Sequence, residues 1–279
     1  MIKELSQSII NMMTRCPHQF YMRYIKGIII PPGVAARRGT SVHSSTEHDY
    51  RTKITTGDYA PLDEVKDAAR DTFVKVCNEE GVWFPDDKKS EAKTILNDNL
   101  NQSLAMAEFH HNEIAVKTKK VAMVEERLYA NIEGVDLPIA GTPDVVGDDT
   151  LRDLKTGNKR WVRGREYEEI QPVIYRILLR ENDFGDVPAE YCILTPMKNG
   201  PKADSGCIWD NDLKVCGDIR PAPVSPEYEE SVILRIKSIA KSLELGNFPP
   251  AYPGSWWCDA AYCGWWSICP YVKGRVTVS

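Results

Sequence analysis

The stretch from Ile139 to Gly157, IAGTPDVVGDDTLRDLKTG, constrains the fold more than any other part of the sequence. Its short apolar runs flank a Gly-Asp-Asp turn signal, which is typical of adjacent antiparallel strands. Asp144, Asp153 and Lys155 lie within these half-buried runs. A surface hairpin with a charge pair is one interpretation. A metal site is the more specific one, because two close carboxylates repel each other unless a cation lies between them.

The order of apolar patterns predicts a mixed α/β fold. Helical spacing dominates the first 115 residues, with two short helices that meet at Cys16 and three longer ones. Three β-rich segments follow, VAMVEERLYANI, VDLPIAGTPDVVG and TLRDLKTG, which we interpret as an antiparallel meander. Beyond them the sequence predicts a helix in REYEEIQPVIYRILLREN, a buried strand in AEYCILTP and an amphipathic helix in PEYEESVILRIKSIAKSLELG.

Composition narrows the class of protein. The 279 residues are 42% hydrophobic and 27% charged, which is ordinary for a globular chain. A formal charge of −5 disfavours a protein that coats nucleic acid nonspecifically, but it leaves room for one local basic surface. The sequence shows neither a secretory leader nor an apolar run of about 18 residues, so we expect a cytoplasmic protein without a membrane span.

The acidic residues and the lysine suit hydrolysis of a phosphodiester bond. We expect Asp144 at the end of the second strand and Asp153 in the middle of the third, where both carboxylates reach one Mg²⁺ or Mn²⁺ ion. Lys155 shares a face with Asp153 because side chains alternate along a strand. Its ammonium group could position water or stabilise the transition state. We therefore predict that Asp144, Asp153 and Lys155 are catalytic.

GTPDVV followed by LRDLKTG resembles the PD-(D/E)XK nucleases, in their RecB-like exonuclease branch. The likeness extends to CRISPR-associated and phage RecB-like nucleases that carry a C-terminal cysteine cluster. It implies a restriction-endonuclease-like core, with a mixed central sheet that contains an antiparallel meander and is flanked by helices. It also implies a helical N-terminal region and a cysteine-rich C-terminal tail.

Two distant motifs agree with this resemblance. GTSVHSSTE is similar to the branch's Gly-x-x-x-His helix, which implies that His43 is a metal ligand. Glu47 lies one turn later and could bind metal or orient the histidine. QPVIYRILL is similar to the Gln-x-x-x-Tyr motif, which implies that the helix carrying Gln171 and Tyr175 lies along the DNA and the active site. Glu125 or Glu126 could add a further metal ligand, and the sequence does not choose between them.

Basic and aromatic residues on two segments suggest a nucleic-acid surface. Such a surface would hold phosphates through cations and stack bases on an indole. A solvated loop is the alternative interpretation. The predicted DNA-binding residues are Arg37, Arg38, Lys159, Arg160 and Trp161, with Lys155, Arg163 and Arg165 in the same basic cluster.

The eight cysteines divide into two groups. Cys258, Cys263 and Cys269 occur close together among tryptophans, and the resemblance implies that Cys16 completes a [4Fe–4S] site with them. The branch usually spaces its first two C-terminal cysteines by two residues, whereas four separate Cys258 from Cys263, so zinc is the alternative. Four others are predicted to be ordinary thiols: Cys77, Cys192, Cys207 and Cys216.

These interpretations predict one compact protein with three parts: a helical region at 1–116, a nuclease core at 117–246 and a metal-binding tail at 247–279 that packs with Cys16. The expected activity is Mg²⁺- or Mn²⁺-dependent exonucleolytic hydrolysis of DNA, at ends or in single-stranded segments, in recombination, repair or phage DNA processing. The expected setting is the cytoplasm of a bacterial or phage-infected cell, with recombination or adaptation proteins as partners. A DNA-end-binding or CRISPR-adaptation protein with secondary nuclease activity, and an RNA-directed nuclease, are the alternatives.

Overall fold

The protein is described by a computed structural model that covers residues 2–201 and 206–272, so the last residues of the predicted tail, 273–279, lie outside the described part. The fold is mixed α/β with a helical N-terminal region, which confirms the predicted class. The helices are α1 (Gln7–Arg15), α2 (Pro17–Phe20), α3 (Val34–Thr56), α4 (Leu62–Glu79), α5 (Ala92–Glu113), α6 (Gln171–Glu181) and α7 (Pro226–Glu244).

Nine described strands form two sheets. The strands are β1 (Leu5–Ser6), β2 (Val121–Val124), β3 (Leu128–Ala130), β4 (Ile139–Gly141), β5 (Val145–Gly147), β6 (Thr150–Thr156), β7 (Ala189–Pro196), β8 (Ile208–Asp210) and β9 (Val215–Pro221). One sheet has three strands in the order β1-β4-β3, and the other has six in the order β2-β5-β6-β7-β9-β8.

The chain forms two compact units, and each is assembled from separate segments. The smaller unit consists of Met1–Pro31, Tyr129–Gly141 and Ser225–Ser279, and the larger unit of Pro32–Leu128 and Thr142–Val224. The division into parts at 1–116, 117–246 and 247–279 stays a prediction.

The six-stranded sheet is the centre of the larger unit. β6 and β7 run parallel and are connected through α6, while the other neighbouring strands are antiparallel. The predicted meander is present as β2-β5-β6, but its first two segments are each interrupted. Glu125 ends β2 with a positive φ of 45°, and Pro143, which has no amide hydrogen for a ladder, separates β4 from β5.

Helices α3, α4 and α5 pack on one another, and α3 and α5 also pack against the six-stranded sheet. Apolar side chains that alternate along β6 and β7 face this helical layer, and the polar Asp153 and Lys155 therefore lie on the other face of β6. The buried cluster between helices and sheet contains Val42, Met106, Phe109, Ile114, Leu154, Cys192, Leu194 and Val215.

The smaller unit contains the paired N-terminal helices. Ser6 caps α1, because its hydroxyl oxygen accepts a hydrogen bond from the amide of Ile9 at 3.3 Å. Cys16 has extended backbone between α1 and α2, and Pro17 occupies the first turn of α2, as the sequence predicted. Helix α1 also packs on α7.

Three features differ from the sequence interpretation. The strands β8 and β9 form a hairpin that the apolar pattern did not reveal, and Cys207 and Cys216 are disulfide-bonded rather than free thiols. Helix α6 begins at Gln171, because Arg165–Tyr167 forms a separate 3₁₀ turn. In the part of the chain that is described, no helix is long and apolar enough to cross a membrane.

Gly217 allows Phe109 to approach β9 closely. A Cβ atom at this position would lie 2.5 Å from a ring carbon of Phe109, so Gly217→Ala should destabilise the protein by about 1–3 kcal/mol through overpacking. Gly33→Ala is the matched control, since the nearest atom to its added Cβ lies at 3.8 Å. Urea unfolding measures both changes, and equal stability of the two variants would contradict this packing.

Candidate active site

The pairing of β5 with β6 brings Asp144 and Asp153 together. Val145 pairs with Arg152, so the next positions along the two strands are Asp144 and Asp153. Asp144 lies directly before β5 and not at the end of a continuous second strand. Its Oδ2 accepts a hydrogen bond from the Leu154 amide at 2.6 Å, which ties the carboxylate to β6. Both aspartates are buried.

His43 and Glu125 complete a group of metal-ligand atoms around Asp144. The His43 Nδ1 atom lies 3.4 Å from Asp144 Oδ1 and 3.5 Å from Glu125 Oε1. One ligand atom from each of the three residues lies within 4.8 Å of the others. Helix α3 supplies His43, the end of β2 supplies Glu125, and the turn before β5 supplies Asp144.

Of the two glutamates Glu125 and Glu126, it is Glu125 that lies beside the other ligand atoms. Glu126 is exposed, whereas Glu125 is directed to the cluster by its left-handed backbone. The Glu125 amide also donates to the carbonyl oxygens of Pro143 and Asp144, at 3.2 and 3.0 Å. The strand pattern could not identify Glu125, because a residue that leaves the strand no longer follows alternation.

Lys155 belongs to a chain of polar contacts on the other side of the aspartates. Its Nζ forms an ion pair with Asp153 and donates to Gln171 Oε1 at 2.7 Å. Gln171 Nε2 donates to the Tyr175 hydroxyl at 2.7 Å, and this hydroxyl donates to the Thr142 carbonyl at 2.9 Å. Gln171 and Tyr175, which were predicted to lie along DNA, are buried and engaged in this chain.

The pKa shifts reflect competition between burial and neighbouring charge. Burial opposes a charged His43, but Asp144 and Glu125 raise the pKa of His43 to about 10. Burial and the nearby Asp144 raise the pKa of Asp153 to about 7, against the opposing effect of Lys155. For Asp144, burial is opposed by His43, Lys155 and the Leu154 amide together, and its pKa is lowered. The cluster thus concentrates negative charge that its own cations only partly balance.

The donor set fits a hard divalent cation. Carboxylate oxygens and an imidazole nitrogen are suitable ligands for Mg²⁺ or Mn²⁺. Asp153 is only 4% exposed, yet its Oδ1 has no hydrogen-bond partner among the described residues. A buried carboxylate oxygen without a donor is costly unless a cation approaches it. His43, Glu125, Asp144 and Asp153 are the residues that could hold such an ion.

Other predicted site residues are engaged in contacts with the rest of the protein. Glu47 forms an ion pair with Arg51 at 2.7 Å. Arg37 is buried and bonds to Glu80 and the Gly81 carbonyl, so it does not offer its guanidinium to solvent. Arg38 is buried as well.

The basic loop after β6 is partly engaged with the sheet. Arg160 makes two hydrogen bonds to the carboxylate of Asp218, at 2.9 and 2.5 Å. Trp161 is half-buried against Tyr191, with ring centroids 4.9 Å apart, and Lys159 is exposed. The loop therefore combines an anchored arginine with an exposed lysine.

The four predicted cluster cysteines line a single pocket in the smaller unit. Cys16 comes from the joint between α1 and α2, while Cys258, Cys263 and Cys269 come from the tail. Gln19 Nε2 donates to Cys263 Sγ at 3.3 Å, and burial raises the pKa of that thiol. None of the four belongs to a disulfide. Tertiary structure thus brings together thiols from the two ends of the sequence.

Comparison with known proteins found a matching family and a similar solved structure. No curated protein matches the sequence. A solved structure of a "putative exonuclease" from Eubacterium rectale aligns with a TM-score of 0.54 and 14% identity, over 99% of this chain and 90% of that chain. At this identity the likeness concerns the fold. A sequence model of the PD-(D/E)XK nuclease superfamily matches residues 4–270, nearly the whole chain, and the protein therefore belongs to this nuclease superfamily.

Proposed function

We propose that the protein is a divalent-metal-dependent deoxyribonuclease of the RecB-like type that acts exonucleolytically, in recombination, repair or phage DNA processing. The observation that carries the proposal is the convergence of His43, Glu125 and Asp144 within 4.8 Å, beside the Asp153–Lys155 pair. The match to a nuclease superfamily and the Eubacterium rectale neighbour support the same reaction class.

Each group in the cluster has a distinct role in this proposal. A bound Mg²⁺ or Mn²⁺ ion would neutralise charge on the phosphate and make water more acidic. Asp144, Asp153 and Glu125 supply negative charge and oxygen ligands, and His43 adds a nitrogen ligand at the same place. Lys155 keeps its proton, because Asp153 and Asp144 raise its pKa despite burial, so its ammonium can stabilise the charge that develops on a phosphate oxygen.

The chain of hydrogen bonds that begins at Lys155 holds the lysine side chain in place. Gln171 accepts from the lysine and is itself fixed through Tyr175 and the Thr142 carbonyl. We assign Gln171 and Tyr175 a positioning role for Lys155 rather than a direct contact with DNA, because both side chains are at least nine-tenths buried.

The four cysteines that line one pocket, Cys16, Cys258, Cys263 and Cys269, are proposed to hold a [4Fe–4S] cluster. Four thiolates are the usual complement of such a cluster. A single zinc ion with the same four ligands is the alternative.

Removal of either aspartate should abolish cleavage. Asp144→Ala and Asp153→Ala each remove a ligand group and negative charge needed to retain the cation, so turnover should fall by about a thousandfold or more. The assay uses end-labelled single- and double-stranded DNA, and RNA, with Mg²⁺, Mn²⁺ or EDTA. Asp98→Ala, an exposed aspartate on α5, is the control. Retention of metal-dependent turnover by Asp153→Ala would contradict the site, and preferential cleavage of RNA would contradict the DNA assignment.

The positioning role of Gln171 predicts a specific kinetic signature. Gln171→Ala should lower kcat about tenfold while KM for DNA changes little, because the contact acts on the transition state through Lys155. Tyr175→Phe removes only the hydroxyl and should have a smaller effect of the same kind. Asn78→Ala, an exposed amide on α4, is the control. A rise in KM without loss of kcat would instead favour contact with DNA.

The proposed cluster predicts a brown protein when it is purified without oxygen, with about four irons per chain. Cys16→Ala should lose both colour and stability, because a cross-link that closes loops of a hundred residues or more removes about 5 kcal/mol of unfolded-state entropy. Cys77→Ala, on α4, should keep both. A colourless protein with one zinc would support the alternative metal, and a stable metal-free protein would contradict both.

A further inference from the structure

A second polar pocket lies next to the buried residue Arg38 in the larger unit. Its volume is about 500 Å³, which is ample for a ligand group. Its polar lining consists of three amides and two lysines, Asn101, Gln102, Asn158, Lys198 and Lys214. No acidic side chain is present among the described residues that line it, so the pocket has a positive lining in a chain of net charge −5.

Arg38 is a buried cation without a counterion. It is 1% exposed, and its guanidinium donates only to neutral amides, at 3.1 Å to Asn99, 2.5 Å to Gln102 and 2.7 Å to Asn158. It forms no ion pair with any residue in the described part of the chain, and its Nε has no partner there. Buried charges in proteins are normally paired, so this arrangement indicates an anion that the chain does not supply.

The orientation of the two lining amides follows from the chemistry of arginine. A guanidinium has five donors and no acceptor, so the amide oxygens of Gln102 and Asn158 must face Arg38. Their NH₂ groups are therefore directed away from Arg38. Asn99, which does not line the pocket, uses its NH₂ group on the Ile95 carbonyl at 2.8 Å. Gln102 and Asn158 thus add fixed donors to a pocket that already contains two ammonium groups.

We propose that this pocket binds a phosphate group of a nucleic-acid strand. Gln102 and Asn158 donate to the phosphate oxygens, Lys198 and Lys214 supply charge at the rim, and Arg38 supplies the positive charge beneath. The inference rests on the proposed function for the identity of the strand, while the preference for phosphate follows from the donors and cations alone. Arg38 acts through the amides and does not itself need to reach the surface.

The pocket lies close in the chain to the candidate active site. Asn158 follows Lys155 by three residues, which span at most about 10 Å of extended chain. A strand that passes Lys155 could therefore place a neighbouring phosphate in the pocket. The bound group is either an internal phosphate of a passing strand or a terminal phosphate, and the two sources give different results in a binding experiment.

Asn158→Asp tests the pocket without removing the contact to Arg38. The new carboxylate still accepts from Arg38, so the fold should be retained, but it replaces an NH₂ donor with negative charge. Asn78→Asp makes the same change of charge at an exposed position on α4. Binding of a fluorescein-labelled single strand is measured by anisotropy in EDTA, with strands that end in hydroxyl, 5′-phosphate or 3′-phosphate groups. Thermal unfolding is measured in parallel.

We expect Asn158→Asp to bind all strands about tenfold more weakly than the parent, with a salt dependence reduced by about one phosphate contact. If the site holds a terminal phosphate, the loss should appear only with the matching phosphorylated end. Asn78→Asp should bind like the parent. Unchanged binding and salt dependence in a folded Asn158→Asp protein would overturn the inference. Gln102→Glu provides the same test if Asn158→Asp does not fold.

Failure of the proposed function would be recognised separately, because binding in EDTA does not require cleavage. A parent protein that binds strands through the pocket but cleaves none with Mg²⁺ or Mn²⁺ would support the phosphate site and contradict the nuclease assignment. If the parent and Asn158→Asp both cleave DNA and bind it with equal affinity, the nuclease assignment is supported and the phosphate site is contradicted.

Discussion

The antiparallel pairing of β5 with β6 sets Asp144 beside Asp153, and the other polar contacts of the candidate active site depend on it. Two carboxylates at adjacent positions are unfavourable in a buried environment, because desolvation and mutual repulsion both oppose their charged forms. Two cations lie beside these carboxylates, His43 from α3 next to Asp144 and Lys155 from β6 next to Asp153. Burial and Asp144 raise the pKa of Asp153, and Asp144 and Glu125 raise that of His43 against the effect of burial.

Two faces of the same strand have different roles in this arrangement. Leu154 enters the apolar layer beneath α3 and α5, which holds β6 in place, while Asp153 and Lys155 point to the opposite face. Helix α6 supplies Gln171 and Tyr175 to the polar chain on that face. The lysine is therefore held between the carboxylate of Asp153 and the neutral amide of Gln171.

The two arginines at the start of α3 are both buried, but their charges are balanced differently. In the sequence, Arg37 and Arg38 form a basic pair that suggests a phosphate surface. In the structure, Arg37 is satisfied by Glu80 and Gly81, whereas Arg38 contacts only amides. The charge of Arg37 is thus balanced by an ion pair within the protein. The charge of Arg38 remains uncompensated beneath a donor-lined pocket, which is why the two neighbours support different conclusions.

The sequence by itself determined the class of fold and the elements that carry Asp153, Lys155, His43 and Gln171, because these lie in helices and a strand whose periodicity is local. It also indicated that Cys16 lies at the joint of two helices, through the proline that follows it. Only tertiary structure decided that Glu125 joins His43 and Asp144, because a left-handed residue at the end of β2 leaves the alternating pattern. Tertiary structure also decided that Gln171, Tyr175 and Arg38 are buried. The pattern of a helix does not show which surface will cover one of its faces, because that depends on contacts between residues far apart in the chain.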